Sequence, residues 1–256
     1  MTKRSIKKYH SRFKTGRSLL LLTGITAHSC ILMADTEHSL SMTIDTYLNP
    51  EISQNHLDAM NIWLESNNCK IAMRAVSSSN SDLLFAIFPK NDAPNNHILL
   101  AKTRNDEPLK VVWLVHRSTG ASELSSISGQ RVALLPKSSL LGHQAPIKQL
   151  TDAGVNTNNL TIYTSEEYQG AVALLLHGDV SAASAPMPLA KPWATANDLN
   201  ILTNSETTYV SGIWQLTDNR MTTGCINAFA NMKRESRQDL KMKLFPEWLQ
   251  GFTINK

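Results

Sequence analysis

The chain has 256 residues, of which 42% are hydrophobic, and this composition suits one large globular domain or two small lobes rather than a disordered protein. Its formal net charge of +4 would suit a nucleic-acid-binding protein, but seven of the 25 Lys and Arg residues precede residue 18. Removing residues 1–34 takes away those seven and no acidic residue, so 18 basic residues remain against 21 acidic ones, a net charge of −3. No basic stripe is left, and nucleic acid is therefore excluded as a partner.

The first 34 residues have the pattern of a Sec signal peptide. The basic segment is followed by an apolar run from Ser18 to Ala34, and the first acidic residue is Asp35. We predict that residues 1–34 are a signal peptide cleaved after Ala34 and that the mature protein is periplasmic. A retained signal anchor is the alternative, although the apolar run is shorter than the ~20 residues that span a bilayer. A lipoprotein attached through Cys30 is a weaker alternative, because His28 interrupts what should be a small, apolar sequence.

The cysteines reflect this predicted export. Cys30 would leave with the signal peptide, whereas Cys69 and Cys225 would remain in a compartment where thiols can pair. They form either a disulfide or two buried free thiols, which behave as small apolar residues.

Hydrophobic periodicity predicts strands that alternate with helices along the whole chain. Strands are predicted over 42–48, 69–76, 82–88, 98–102, 109–117, 132–135, 160–163, 180–185, 199–202 and 208–216. Helices are predicted over 51–66, 140–153, 165–177, 191–200, 218–235 and 239–251. The run 82–88 is almost entirely apolar, which is typical of a strand buried on both faces of a parallel sheet. The sequence thus predicts an α/β protein.

A small polar loop after the predicted strand 132–135 is a candidate binding site. Ser138 and Ser139 lead into the helix predicted to begin at residue 140, and the N–H groups at a helix start can bind an anion. The alternative is that a serine there simply caps the helix. His143 lies one turn into this helix and is a candidate ligand contact.

Motifs for catalysis, nucleotides and metals are absent from the sequence. It has no Gly-x-Ser-x-Gly elbow, no Ser-x-x-Lys paired with Lys-Thr-Gly, no phosphate-binding P-loop and no Gly-x-Gly-x-x-Gly. The histidines are scattered, with neither a His-x-x-x-His nor a Cys-x-x-Cys pair. We therefore predict that the protein is not an enzyme and uses neither a cofactor nor a metal.

Four segments in order carry a resemblance to a known family. They are residues 127–133 (ISGQRVA), 138–142 (SSLLG), 153–155 (AGV) and 176–182 (LHGDVSA). Together they resemble the type 2 periplasmic solute-binding proteins, and the phosphate/phosphonate-binding branch in particular. The resemblance is clear over about 115–205 and fainter elsewhere.

This resemblance implies a two-lobed type 2 periplasmic binding protein fold, in which each lobe is a mostly parallel sheet flanked by helices. It assigns residues 35–117 and 206–256 to lobe one and residues 118–205 to lobe two. The solute would bind in the cleft between the lobes, and closure of the hinge would enclose it. The implied function is that of an exported monomer that captures a small anion for an ABC permease.

The chain also departs from the family pattern. The hydroxyl-rich loop of the family ends here in Leu140 and Leu141, so fewer hydroxyls remain to hold an anion. A sensing or accessory binding module, which feeds a membrane sensor and has an altered or lost anion site, is therefore the alternative function. The candidate ligand contacts are Tyr47, Ser138, Ser139, His143, Tyr168 and Ser205.

Overall fold

Two β-sheets, each flanked by helices, make up the part of the chain that the computed structural model describes, which is residues 40–44, 52–74, 81–218 and 220–254. These residues all belong to one unit, His38–Lys256. The predicted signal peptide, residues 1–34, lies outside the described residues. None of the described helices has the length and apolar character needed to cross a membrane.

The strands and helices follow one another as the hydrophobic pattern predicts for most of the chain. The strands are β1 (Leu40–Ile44), β2 (Ile71–Arg74), β3 (Leu83–Pro89), β4 (His97–Thr103), β5 (Val111–His116), β6 (Arg131–Leu134), β7 (Thr161–Thr164), β8 (Ala182–Pro186), β9 (Leu199–Leu202), β10 (Tyr209–Gln215) and β11 (Leu249–Ile254). The α-helices are α1 (Gln54–Ser66), α2 (Ala145–Asp152), α3 (Tyr168–Leu176), α4 (Met187–Asn197) and α5 (Thr223–Asn231). A π-helical turn occupies Leu140–Gln144, and short 3₁₀ helices occupy Lys90–Asp92, Arg104–Asp106, Arg117–Thr119, Leu124–Ile127, Thr157–Asn159 and Leu240–Leu244.

The first sheet has the order β11-β4-β10-β3-β1-β2 and forms lobe one. Strand β1 pairs in parallel with β2 and β3, whereas β10 is antiparallel to β3 and β4, and β11 is antiparallel to β4. The second sheet has the order β7-β6-β8-β5-β9 and forms lobe two. Here β6 is parallel to β7 and β8, and β5 is antiparallel to β8 and β9.

The predicted two-lobed α/β fold is confirmed, and each sheet is a mixture of parallel and antiparallel pairs. Three adjacent strands of each sheet pair in parallel, namely β2, β1 and β3 in the first sheet and β7, β6 and β8 in the second. The strands that enter each sheet directly from the other lobe, β5 and β10, are antiparallel to both of their neighbours, and β11 is also antiparallel to β4.

The first crossover between the lobes differs from the predicted position. The prediction assigned residues 109–117 to lobe one, but β5 pairs with β8 and β9 of lobe two, so the chain crosses before β5 rather than at residue 118. The returning crossover lies between β9 and β10. The backbone N–H of Tyr209 donates to the Leu109 carbonyl oxygen at 2.7 Å, which joins the two crossovers. An apolar strand can pack in either sheet, so its sequence alone does not show which sheet it joins.

The C-terminal segment also differs from prediction. The helix predicted over 239–251 is a 3₁₀ helix, Leu240–Leu244, followed by strand β11, which pairs with β4. Pro246 cannot donate a backbone hydrogen bond and ends the helical segment. Gly251 permits the close approach that β11 needs, because a Cβ atom there would lie 2.5 Å from the Met232 carbonyl oxygen.

Helix α5 is shorter than the predicted range 218–235, because Thr222 caps its start by accepting a hydrogen bond from the Cys225 N–H at 3.3 Å. Helix α3 begins at Tyr168 rather than at residue 165. The Ser165 hydroxyl, at the predicted start, donates to the Glu167 carbonyl oxygen at 2.9 Å and does not cap the helix.

Lobe one is held together by a disulfide and an aromatic cluster. Cys69, just after α1, is bonded to Cys225 in α5, with the two Cα atoms 4.5 Å apart. Beside them lies a cluster of four phenylalanines that pack edge to face, at most 2% exposed. The cluster consists of Phe85, Phe229, Phe245 and Phe252.

Candidate functional site

The loop after β6 forms one wall of a cleft. The Ser139 hydroxyl accepts a hydrogen bond from the Gly142 N–H at 3.0 Å, and so caps the π-helical turn that follows. Gly142 is packed so closely that a Cβ atom there would lie 2.5 Å from the Leu135 Cβ atom. The backbone N–H groups of Leu140 and Leu141 have no acceptor within the described part of the chain. They are the open donors of this helix start.

Tyr168, the first residue of α3, lies beside this loop and is 8% exposed. Burial raises the pKa of its phenol, and a hydrogen bond with the Ser139 side chain partly opposes that rise. The phenol therefore stays neutral at physiological pH. The Ser139 side chain is accordingly shared between the Gly142 N–H and Tyr168, which leaves Ser138 as the loop's uncommitted hydroxyl.

The opposite wall belongs to lobe one and is formed mainly by the C-terminal segment that follows α5, together with His56 and Arg104. The cleft volume is about 390 Å³, a size that suits a small molecule. Its charged lining residues are Arg104, Arg234, Arg237, Lys243, Glu166, Glu167 and Glu247. Its apolar lining includes Leu135, Leu189, Trp193 and Phe245.

The charges of the two walls influence one another. Burial raises the pKa of Glu247, and the Glu167 carboxylate raises it further, while Lys243 and two arginines act in the opposite direction. Burial lowers the pKa of Arg234, and Glu247 partly restores it. The cleft thus holds cations and carboxylates together, with four Lys or Arg against three Glu.

A hydrogen bond joins the lobes across the cleft. Arg237 of lobe one donates from Nη1 to Gln169 Oε1 of lobe two at 3.4 Å, which is a long contact between exposed side chains. A hydrogen bond of this length between exposed side chains is weak.

The raised pKa of Glu247 predicts a pH-dependent stability. The folded chain holds the Glu247 proton more tightly than the unfolded chain, so stability falls as pH rises from the ordinary carboxyl pKa through the raised one. We expect Glu247→Gln to gain in urea midpoint over the native chain as pH rises from about 4 to 7. Glu235→Gln, a change at an exposed residue outside the cleft lining, is the control. A difference that stays the same at every pH would contradict the prediction.

The structure brings together only some of the predicted ligand contacts. Ser138, Ser139 and Tyr168 line the cleft. His143 does not line it, and its Nδ1 lies 2.9 Å from the Leu135 carbonyl oxygen. Ser205 lies in the returning crossover, outside the lining, where its hydroxyl accepts from the Thr207 N–H at 3.1 Å. Tyr47 falls outside the described residues.

The charged lining residues of lobe one were not predicted from the sequence. Lys243 and Glu247 lie in the helix predicted over 239–251, and Arg237 lies between that helix and the one predicted over 218–235. Isolated charges in such a segment give no functional signal. Across the described ranges, no group of three or more His, Cys, Asp or Glu residues is placed to hold a metal ion.

A family model described as "ABC transporter, phosphonate, periplasmic substrate-binding protein" matches residues 86–251. PhnD1 from Prochlorococcus marinus (MIT 9301), solved in complex with methylphosphonate, is similar in structure with a TM-score of 0.52 and 15% identity, covering 85% of this chain and 93% of that one. A binding protein component of an ABC phosphonate transporter from Pseudomonas aeruginosa has a TM-score of 0.49 and 9% identity, covering 85% and 81%. No curated protein matches the sequence significantly. The family match covers more than half of the chain, which therefore belongs to the periplasmic substrate-binding proteins of phosphonate ABC transporters.

Proposed function

We propose that this chain is an exported solute-binding protein that captures a small anion of the phosphonate or phosphate type in its interlobe cleft. In this proposal it works as a periplasmic monomer and delivers the solute to an ABC permease. No cofactor or catalytic step is involved, in keeping with a family whose members bind substrate for transport.

The observation that carries the proposal is the meeting of two kinds of anion-binding group in one cleft. Lobe two contributes the Ser138 hydroxyl, which lines the cleft, and its loop leads into the helix start with the open N–H groups of Leu140 and Leu141. Lobe one contributes cationic side chains, including Arg237 and Lys243. Charge-assisted hydrogen bonds of this type are shorter and stronger than neutral ones, and they favour phosphonate or phosphate oxygens.

The placement of these groups also explains how binding would close the protein. An anion held by the loop of lobe two attracts the cations of lobe one, so the solute binds the closed form better than the open form. A ligand shifts a conformational equilibrium only by such a difference in affinity. The methylphosphonate bound to the similarly folded Prochlorococcus protein supports this class of solute.

A thermal-shift and calorimetry panel of methylphosphonate, phosphate, sulfate and acetate tests the proposal. A ligand present at 100 times its Kd should stabilise the native chain by about 2.7 kcal/mol. We expect methylphosphonate or phosphate to do so, and Ser138→Ala to weaken the binding about tenfold through loss of a hydrogen bond to a charged group. Ser181→Ala is the matched control, because Ser181 lies in lobe two outside the cleft lining and donates to Gln130 Oε1 at 3.1 Å. Absence of stabilisation by any of the four anions would refute the proposal.

The alternative is a sensing or accessory binding module that feeds a membrane signalling partner. Two observations favour an altered site: Ser139 is already committed to Gly142 and Tyr168, and Glu167 and Glu247 bring negative charge into the cleft. Failure of every anion, together with binding of a cationic or neutral solute, would support this alternative.

A further inference from the structure

We propose that Arg234 is a positioning residue, which fixes the segment forming the lobe-one wall of the cleft rather than selecting the solute by its charge. The part of this inference that concerns solute affinity rests on the function proposed above. The part that concerns the segment itself does not.

Arg234 donates to four backbone carbonyl oxygens. Its Nε donates to Leu249 at 2.8 Å, and its Nη2 donates to Met242 at 2.9 Å, Phe245 at 3.2 Å and Pro246 at 2.9 Å. The guanidinium is planar and fixes its donors in a fork, whereas a lysine carries all its donors on one nitrogen. The two donor nitrogens used here bond carbonyls on both sides of the segment, an arrangement that a lysine cannot reproduce.

The segment that Arg234 holds lies between the 3₁₀ helix and β11. Residues 245–248 lie in neither element, so they lack the regular hydrogen bonds that a helix or sheet would supply. Buried carbonyl groups need partners, and Arg234 supplies one for Phe245 and a second one for Pro246, which also accepts from the Leu249 N–H at 3.0 Å. The carbonyl bonds of this one side chain therefore add to the backbone hydrogen bonds of the segment, which are those of the Phe245 N–H to Met242 and of the Leu249 N–H to Pro246.

The backbone of Arg234 is itself fixed. Its N–H donates to the Gln250 carbonyl oxygen at 2.9 Å, and the preceding residue, Lys233, forms an antiparallel bridge with Gly251. Arg234, which we call the clamp, is thus attached to β11 through its main chain and to the preceding segment through its side chain. This double attachment sets the position of the segment relative to the sheet.

The clamped segment presents three consecutive cleft residues, Phe245, Pro246 and Glu247. Phe245 belongs at the same time to the aromatic cluster of the lobe, with its ring centroid 4.9 Å from that of Phe85. A shift of this segment would move both the apolar wall and the carboxylate that faces Glu167. Arg234 therefore sets the shape and the charge of the lobe-one wall together.

Arg237 provides the contrast. It is exposed, and it makes the long hydrogen bond to Gln169 across the cleft. The two arginines, three positions apart, therefore have different contacts. Arg234 bonds the wall segment of lobe one, and Arg237 bonds the other lobe. Both side chains carry the same charge, and lysine keeps that charge. Replacement by lysine is therefore expected to disturb the wall segment at Arg234 but not at Arg237.

Hydrogen–deuterium exchange of the ligand-free protein tests the clamp directly. We expect Arg234→Lys to speed exchange over residues 242–250 by about tenfold or more, because opening of the segment no longer breaks the arginine bonds. Exchange in β6 of lobe two should remain native in this variant. Arg237→Lys is the matched control and should leave exchange over 242–250 unchanged. Native exchange over that range in Arg234→Lys would overturn the inference.

Calorimetric titration with methylphosphonate from pH 5 to 8 tests the consequence for binding. We expect Arg234→Lys and Arg234→Ala to lose about tenfold or more in affinity to a similar extent, and their affinity–pH profiles to match that of Glu247→Gln. Arg220→Lys, exposed and outside the cleft lining, is the control. A native affinity and pH profile in Arg234→Lys would show that charge alone matters and would overturn the positioning role. If the native chain binds neither methylphosphonate nor phosphate, the proposed function fails, while the exchange result still decides the clamp.

Discussion

Replacing both Cys69 and Cys225 by alanine is expected to lower the free energy of unfolding by about 3–5 kcal/mol. The disulfide joins residues 156 positions apart, and the entropy of the unfolded chain rises most when such a long loop is opened. Both cysteines are at most 2% exposed, so the alanine variant removes the link more cleanly than a reductant acting on the folded protein.

Urea unfolding followed by circular dichroism measures this loss. The native chain should show a lower urea midpoint when it is unfolded and refolded in dithiothreitol, whereas the double-alanine variant should give the same midpoint with and without the reductant. Equal midpoints for the oxidised native chain and the variant would contradict the prediction.

The Phe252→Ala substitution is expected to cost about 3–5 kcal/mol, which is the usual range for truncating a buried phenylalanine. Phe252 is 2% exposed, and its ring packs edge to face against those of Phe85, Phe229 and Phe245 at centroid distances of 6.0, 5.7 and 5.2 Å. Its removal leaves a cavity that the three remaining rings cannot fill without moving the cleft wall.

The matched control is Phe88→Ala, which also removes a phenylalanine with an edge-to-face partner. Phe88 is only half-buried, and its ring contacts Trp214 at a centroid distance of 4.8 Å. Its truncation should therefore cost clearly less than that of Phe252, as measured by the urea midpoints of both variants. Similar costs for the two substitutions would show that the cluster does not have the assigned role.

Most strands could be predicted from the sequence because burial leaves a mark on composition. The apolar run of β3 and the returning strand β10 lie within about one residue of their predicted ranges. The tail could not be predicted in this way, since Leu240, Leu244 and Trp248 repeat every four residues as they would on a helix. Pro246 was the signal against a continuous helix. The residues that follow it form β11, which pairs with β4.

The binding site was predictable only on one side. The Ser138–Ser139 loop follows its strand directly in sequence, so motif and geometry coincide there. The lobe-one wall depends on a side chain, Arg234, that bonds carbonyls eight to fifteen residues away. No sequence motif marks the residues that take part in such a tertiary interaction, so it could not be predicted from the sequence.

The pairing of β4 bears on the order in which the two sheets can form during synthesis. Both neighbours of β4, the strands β10 and β11, come after residue 208, so lobe one waits for the end of the chain. Every strand of the second sheet, by contrast, lies between Val111 and Leu202. Domains commonly fold in the order in which they emerge. Lobe one contains the first strand of the described chain, but its sheet can be completed only after all strands of lobe two have been synthesised.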